Sequence, residues 1–182
     1  AERALHFGDH AHAFTYRGVA KKNLKDLEAA RSDLEKAVQL SPHLAHAWTN
    51  LGNVYRDLHD YPAALLAQEK ALALQPQFTE ALNNKGYVLK QMGKFEEALA
   101  SYDKALELQP SFTSAAWNKS MILLAQDRWK EGFEFYEFRR KKRGAFQSSL
   151  PIPEWLGQNL SQKKILVFAE QGIGDTFQFI RL

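Results

Sequence analysis

The stretches AWTNLGNVYRDLHDYPAALLAQEKALALQP (residues 47–76) and ALNNKGYVLKQMGKFEEALASYDKALELQP (residues 81–110) are one pattern written twice. Prolines close both copies at Pro76 and Pro110, and an earlier one stands at Pro42. Glycines recur at Gly18, Gly52 and Gly86, and alanines at Ala30, Ala64 and Ala98 and again at Ala37, Ala71 and Ala105. Each series advances by 34 residues. Within a copy, Trp48, Leu51 and Tyr55 fall three or four apart, and a second run follows from Tyr61 through Ala64, Ala71 and Leu74. That spacing gathers the bulky groups on one face of a helix. The glycine admits a closely packed partner helix, and the proline forbids continuation of the second run. The pattern predicts a helix, a turn, a second helix and a stop, repeated along the chain.

A 34-residue period with small residues at fixed offsets and a closing proline resembles the tetratricopeptide (TPR) repeat. The fold class expected is all-α, a right-handed TPR superhelix of helix-turn-helix units, whose inner face recognises other chains. The units fall at 11–44, 45–78, 79–112 and a divergent 113–144, with first helices opening at Ala11, Ala45, Thr79 and Thr113. Ala4, Leu5 and Phe7 match Ala71, Leu72 and Leu74, so residues 1–10 are expected to close the second helix of a preceding repeat. In the fourth unit Ser120 takes the glycine slot, Gly132 takes an alanine slot, and Trp129, Phe133, Phe135, Tyr136 and Phe138 crowd the second helix. Such an aromatic surface needs a cover. The expected one is the rest of a C-terminal domain, packed on Trp129, Phe133, Tyr136 and Phe138.

After Gly144 the helical period stops. Residues 145–163 read as an extended linker, with Pro151, Pro153 and Gly157 around Trp155 as an anchor. KILVFA (residues 164–169) is a short apolar run of the kind found in buried parallel strands. It leads into Glu170, Gln171, Gly172, Ile173, Gly174 and Asp175, then a helix start at Thr176. Residues 164–182 are thus expected to be the first strand, turn and helix of a truncated α/β domain, with the strand loosely held or paired with another molecule. Gly172 and Gly174 let backbone amides approach a ligand, and the helix start favours an anion. A dinucleotide fingerprint wants a third small residue where Phe177 stands, so NAD and FAD are not expected.

Composition narrows the function classes. Hydrophobic residues make up 45% of the chain, enough for a continuous core. The absence of cysteine excludes a disulfide framework, a thiolate nucleophile and a thiolate metal site. No apolar run reaches spanning length and no signal-peptide order opens the sequence, so a soluble, cytoplasmic protein without membrane association is expected. The formal charge of +3 is local: Arg139, Arg140, Lys141, Lys142 and Arg143 form one basic run, and the remainder is slightly acidic. Without aromatic stacking platforms that run reads as a solvated helix end rather than a nucleic-acid surface. His10, His12, His43 and His46 lack acidic partners at ligand spacing, and no metal site is expected.

Two candidate sites remain. Asn50, Asn84 and Asn118 share one slot on three successive first helices. A side-chain amide donates and accepts, so a ladder of them can pair with the peptide groups of an extended chain; bonding to neighbouring helix ends or water is the local alternative. Asn53 and Tyr87 share a neighbouring slot, and Arg56 and Lys90 lie one turn on, where they can hold a carboxylate or phosphate of the partner. The second site is the glycine-rich turn, where Asp175 is either a helix cap or a functional carboxylate.

Trp129, Gly132 and Tyr136 to Arg139, then PEWLG (residues 153–157) and EQGIGDTFQFIR (residues 170–181), resemble bacterial TPR proteins with a C-terminal glycosyltransferase-like domain akin to the heptosyltransferases. The TPR part is also similar to that of O-linked N-acetylglucosamine transferases, whose asparagine ladder holds substrate peptides; Asn50, Asn84 and Asn118 match that slot. The resemblance implies that Asp175 inherits the role of base toward an acceptor hydroxyl, and that the parent protein uses a nucleotide-sugar donor. The chain alone is expected to bind no cofactor and to be no enzyme. The rival expectation is a non-catalytic scaffold that self-associates through its repeats.

Overall fold

The computed structural model describes residues 2–136, with side chains from His10 onward, and this span folds as eight helices. They are α1 (Glu2–Asn23), α2 (Leu27–Leu40), α3 (Ala45–Asp57), α4 (Tyr61–Leu74), α5 (Thr79–Gln91), α6 (Phe95–Leu108), α7 (Thr113–Ala125) and α8 (Trp129–Tyr136). Each odd-numbered helix packs most extensively on the even-numbered helix that follows it. The starts of α3, α5 and α7 coincide with the 34-residue register.

The first helix departs from that register. A break ahead of Ala11 is expected from the sequence, yet α1 runs on from Glu2 to Asn23. Its physical reason lies at residue 8. Where the later linkers carry Pro42, Pro76 and Pro110, this position carries Gly8. A glycine weakens a helix by about 1 kcal/mol relative to alanine, but it keeps its N–H and does not clash with the preceding turn as proline does. The expected linker (residues 145–163), the basic run and the strand-turn-helix at 164–182 lie outside the described residues.

The turns within the hairpins share one device. Lys25, His59, Gly93 and Asp127 occupy the same slot, and all have positive φ, between 59° and 76°. One residue later Asp26 and Asp60 cap α2 and α4, accepting from the backbone N–H of Ala29 and Ala63 at 3.3 and 3.1 Å. Such caps contribute about 1 kcal/mol each. Lys94, at the same slot, makes no side-chain cap bond to α6.

Packing inside each hairpin is set by the glycine slot. A Cβ at Gly86 would lie 2.6 Å from Cε1 of Tyr102, whose ring is fully buried. At Gly18 the opposing group is Leu34, and at Gly52 it is Gln68. These three positions explain why the chain needs glycine there: the second helix lays a different side chain directly on the backbone of the first. In the fourth hairpin the close approach is reversed, with Gly132 on α8 lying against Leu124 of α7. The buried core crosses each repeat boundary: Leu34, Val38, Leu51 and Val54 cluster across the first, Ala45, Ala71, Phe78 and Ala81 across the second, and Leu82, Leu89, Leu99, Tyr102, Ile122 and Leu123 across the third, with Trp48 and Leu72 packed between neighbouring clusters.

Successive first helices touch one another, α1 with α3, α3 with α5 and α5 with α7, whereas among the described residues no two second helices do so. A stack whose odd helices are close and whose even helices are apart curves toward the odd ones. The first helices therefore line the inner face.

Candidate functional site

The slots singled out from the sequence all sit on these inner helices. Asn50 on α3, Asn84 on α5 and Asn118 on α7 are each half-buried, so they reach solvent from fixed backbone positions. Their bonding differs. The amide of Asn118 donates to Oδ1 of Asn83 at 3.0 Å, tying α7 to α5. Among the described residues, the side chains of Asn50 and Asn84 make no hydrogen bond. Asn83 escaped notice in the sequence, although the Asn83–Asn84 doublet marks it. So did Tyr16, which holds the same slot as Asn50 one repeat earlier and is 73% exposed.

Asn53 and Tyr87 stand one turn further along. Oδ1 of Asn53 is buried without a partner, as are Oγ1 of Thr49 and Oε1 of Gln68. Gln68 is fully buried, and its Nε2 donates to the carbonyl of Thr49 at 3.2 Å. The Gln68 amide lies directly against Gly52 of α3. In the third repeat the corresponding side chain is Tyr102, whose hydroxyl is also unpartnered. Burial, and then the neighbouring Tyr87, push its titration well above the ordinary tyrosine value.

Arg56 and Lys90 converge on Tyr87. The guanidinium carbon of Arg56 lies 5.3 Å and the ammonium of Lys90 5.0 Å from the centre of the Tyr87 ring, both within cation–π range. Arg56 also donates to Oδ1 of Asp57 through Nε at 3.0 Å and Nη2 at 2.7 Å. Beside this cluster opens a cleft of about 250 Å³ between the first two intra-hairpin turns. Lys25, Leu27, Arg56, Asp57, His59, Tyr61 and Tyr87 line it. Nδ1 of His59 lies 3.0 Å from the hydroxyl of Tyr61.

The scaffold behind the face is held by charge as well as by packing. Asp33 on α2, with its side chain 3% exposed, accepts from Arg17 at 2.6 and 2.7 Å and pairs with Lys21 at 2.8 Å. The bond from Arg17 lowers the carboxyl to about pKa 2 against the opposing effect of burial. Glu69 pairs with Lys85 at 2.9 Å, and Asp103 with Lys119, each linking a second helix to the next first helix. Tyr55 donates to Glu35 at 2.9 Å, and its own titration is pushed up to about 12, first by burial and then by that bond.

At the far end, Trp129 and Phe133 of α8 are 55% and 53% exposed, while Phe135 joins the core under the ammonium of Lys119 and Tyr136 lies 5.1 Å from Trp117. Phe138, Gly172, Gly174 and Asp175 lie outside the described residues. Among the described residues, no helix is long and apolar enough to cross a membrane.

The tetratricopeptide repeat family model matches residues 11–44, 45–78 and 79–112. No curated protein sequence matches the chain. Among solved structures, MamA is similar over 74% of this chain and 78% of its own, with TM-score 0.67 and 22% identity. The first TPR of Spaghetti (RPAP3), bound to the HSP90 peptide SRMEEVD, is similar over 66% of this chain and 95% of its own, with TM-score 0.64 and 23% identity. A mutant O-GlcNAc transferase of Thermobaculum terrenum is similar over 64% of this chain and 22% of its own, with TM-score 0.62 and 24% identity. These likenesses establish the fold.

Proposed function

With residues 11–112 belonging to the tetratricopeptide repeat family, we propose that the chain binds an extended polypeptide along its first-helix face. The observation that carries this reading is the pair Asn50 and Asn84: half-buried, in register on neighbouring inner helices, and free of internal hydrogen bonds among the described residues. Helices packed side by side are 8–10 Å apart, and an extended strand rises about 3.3 Å per residue. Successive amides therefore meet the partner about every third residue, each able to donate to a carbonyl and accept from an N–H. Such contacts read main chain rather than side chains. Arg56 and Lys90 supply the charge that selects a carboxylate or phosphate on the partner. The bound peptide in the structure of the first TPR of Spaghetti supports polypeptide as the ligand class. Replacing Asn50, Asn84 and Asn118 together by alanine weakens partner capture at least tenfold; unchanged affinity in a titration removes the reading.

In its fuller form, the face presents an acceptor polypeptide to a nucleotide-sugar-dependent transferase of the bacterial cytoplasm. The support is the resemblance of EQGIGDTFQFIR to the heptosyltransferase motif, with Gly172 and Gly174 shaping the turn and Asp175 as the base. A protein carrying the whole of that domain loses transfer on Asp175→Asn, and retained transfer rejects the assignment.

The exposed Trp129 and Phe133 favour a second reading, assembly of the repeats into a scaffold. Sedimentation that shifts with concentration in the wild type but not in a Trp129→Ser, Phe133→Ser variant supports it, and a concentration-independent monomer rejects it.

A further inference from the structure

The cleft beside Tyr87, about 250 Å³ and open to solvent on one side, offers more than the charge contact. Its walls also differ from the amide ladder. Three rings, His59, Tyr61 and Tyr87, and the aliphatic side chain of Leu27 line it together with the cations Lys25 and Arg56. Lys90 adds a third positive charge at the Tyr87 ring, and Asp57, bonded to Arg56, is the one opposing charge in the lining. With two cations against one carboxylate the lining is net positive, and it is partly apolar. A guanidinium already over one ring offers its other face to a second, and its donors not taken by Asp57 remain for an oxyanion.

We propose that this cleft is a subsite for an aromatic side chain bearing or adjoining a negative charge. Two sources share that chemistry: a phosphorylated tyrosine, and an aromatic residue whose own α-carboxylate ends the partner chain. The proposal rests on the reading that a polypeptide lies along the first helices, and it specifies what one end of that polypeptide carries.

The test is an NMR titration of the full chain with four small probes: phosphotyrosine, N-acetylphenylalanine, inorganic phosphate and N-acetylalanine. The expected result is saturable perturbation of Arg56, His59 and Tyr87 by at least one aromatic anion, binding at least tenfold tighter than its ring-free counterpart. Which of the two binds identifies the source. Arg56→Gln and, separately, Lys25→Gln weaken that binding at least threefold; Lys25 is exposed and Arg56 half-buried, so folding is checked by an unchanged spectrum elsewhere. Binding no better than the ring-free controls, or indifference to both substitutions, overturns the proposal. Asn50→Ala with Asn84→Ala leaves these probes unaffected, because they present almost no main chain. A double variant that loses peptides while aromatic anions never bind removes the cleft and leaves the face standing.

Discussion

Gly86→Ala tests the packing on which the inner face depends. In isolation the substitution favours the helix, since alanine exceeds glycine by about 1 kcal/mol in a helix interior. The new methyl, however, would stand 2.6 Å from Cε1, 2.9 Å from Cδ1 and 2.9 Å from Cζ of Tyr102. That ring is fully buried among Leu89, Leu99 and Leu123, and a planar side chain has no flexible end to swing away. Overpacking a tight core costs up to about 3 kcal/mol, so the net loss is about 2 kcal/mol. With a urea slope of about 2 kcal/mol/M, the unfolding midpoint falls by about 1 M. Gly93→Ala is the control: its Cβ meets open space, and the cost is backbone strain alone, about 1 kcal/mol at φ 76°. Urea titrations followed by circular dichroism compare the three proteins. A Gly86→Ala protein as stable as wild type would refute the close seating of Tyr102 on α5, and with it the spacing of α5 from α6.

Asp33 is held at about pKa 2 against an ordinary value of 3.8; its ion pairs therefore contribute fully above about pH 4 and are lost as pH falls through that interval. The urea midpoint of the wild type drops between pH 4 and 2, and that of Asp33→Asn drops less; parallel curves contradict the assignment. Gln68→Leu removes a buried unpaired Oε1, gives up the 3.2 Å bond from Nε2 to the carbonyl of Thr49, and places leucine where Leu34 already sits on Gly18. Leaving a buried polar group unsatisfied costs about 1–3 kcal/mol, against about 1 kcal/mol contributed by the lost bond, so thermal unfolding shifts upward, and a downward shift refutes the unpaired state. Asn118→Ala, whose side chain is engaged by Asn83, weakens peptide binding less than Asn84→Ala does, as titration calorimetry of one peptide against both variants shows; equal losses contradict that pairing.

The repeat and its inner slots were legible because the constraint is periodic: a residue that matters in one unit is flagged by its partners a period away. The starts of α3, α5 and α7 and the inner positions of Asn50, Asn84, Arg56 and Lys90 come from that arithmetic. It fails where a unit departs from the average. Gly8 in place of a linker proline lets α1 run on, and the match of Ala4, Leu5 and Phe7 to a later helix gave no sign of it. Pairings across helices are also invisible to a period. That Asn118 spends its amide on Asn83, or that Arg56 and Lys90 meet at Tyr87, depends on how neighbouring repeats are rotated against each other. Gln68 shows the opposite case: a polar residue in a slot otherwise held by Leu34 and Tyr102 is visible in the sequence as a break in a pattern, and the structure shows that it leaves an unpaired oxygen beneath the face.

Main-chain reading by Asn50 and Asn84 is decided by the affinity of peptides selected by the wild-type chain from a random library, determined again on Asn50→Ala with Asn84→Ala and on Lys70→Ala, an exposed position on α4. Two lost amide contacts at about 1 kcal/mol each correspond to a loss of roughly 30-fold, common to peptides of unrelated sequence, with no change for Lys70→Ala. Selected peptides that bind the double asparagine variant as tightly as the wild type would contradict the claim.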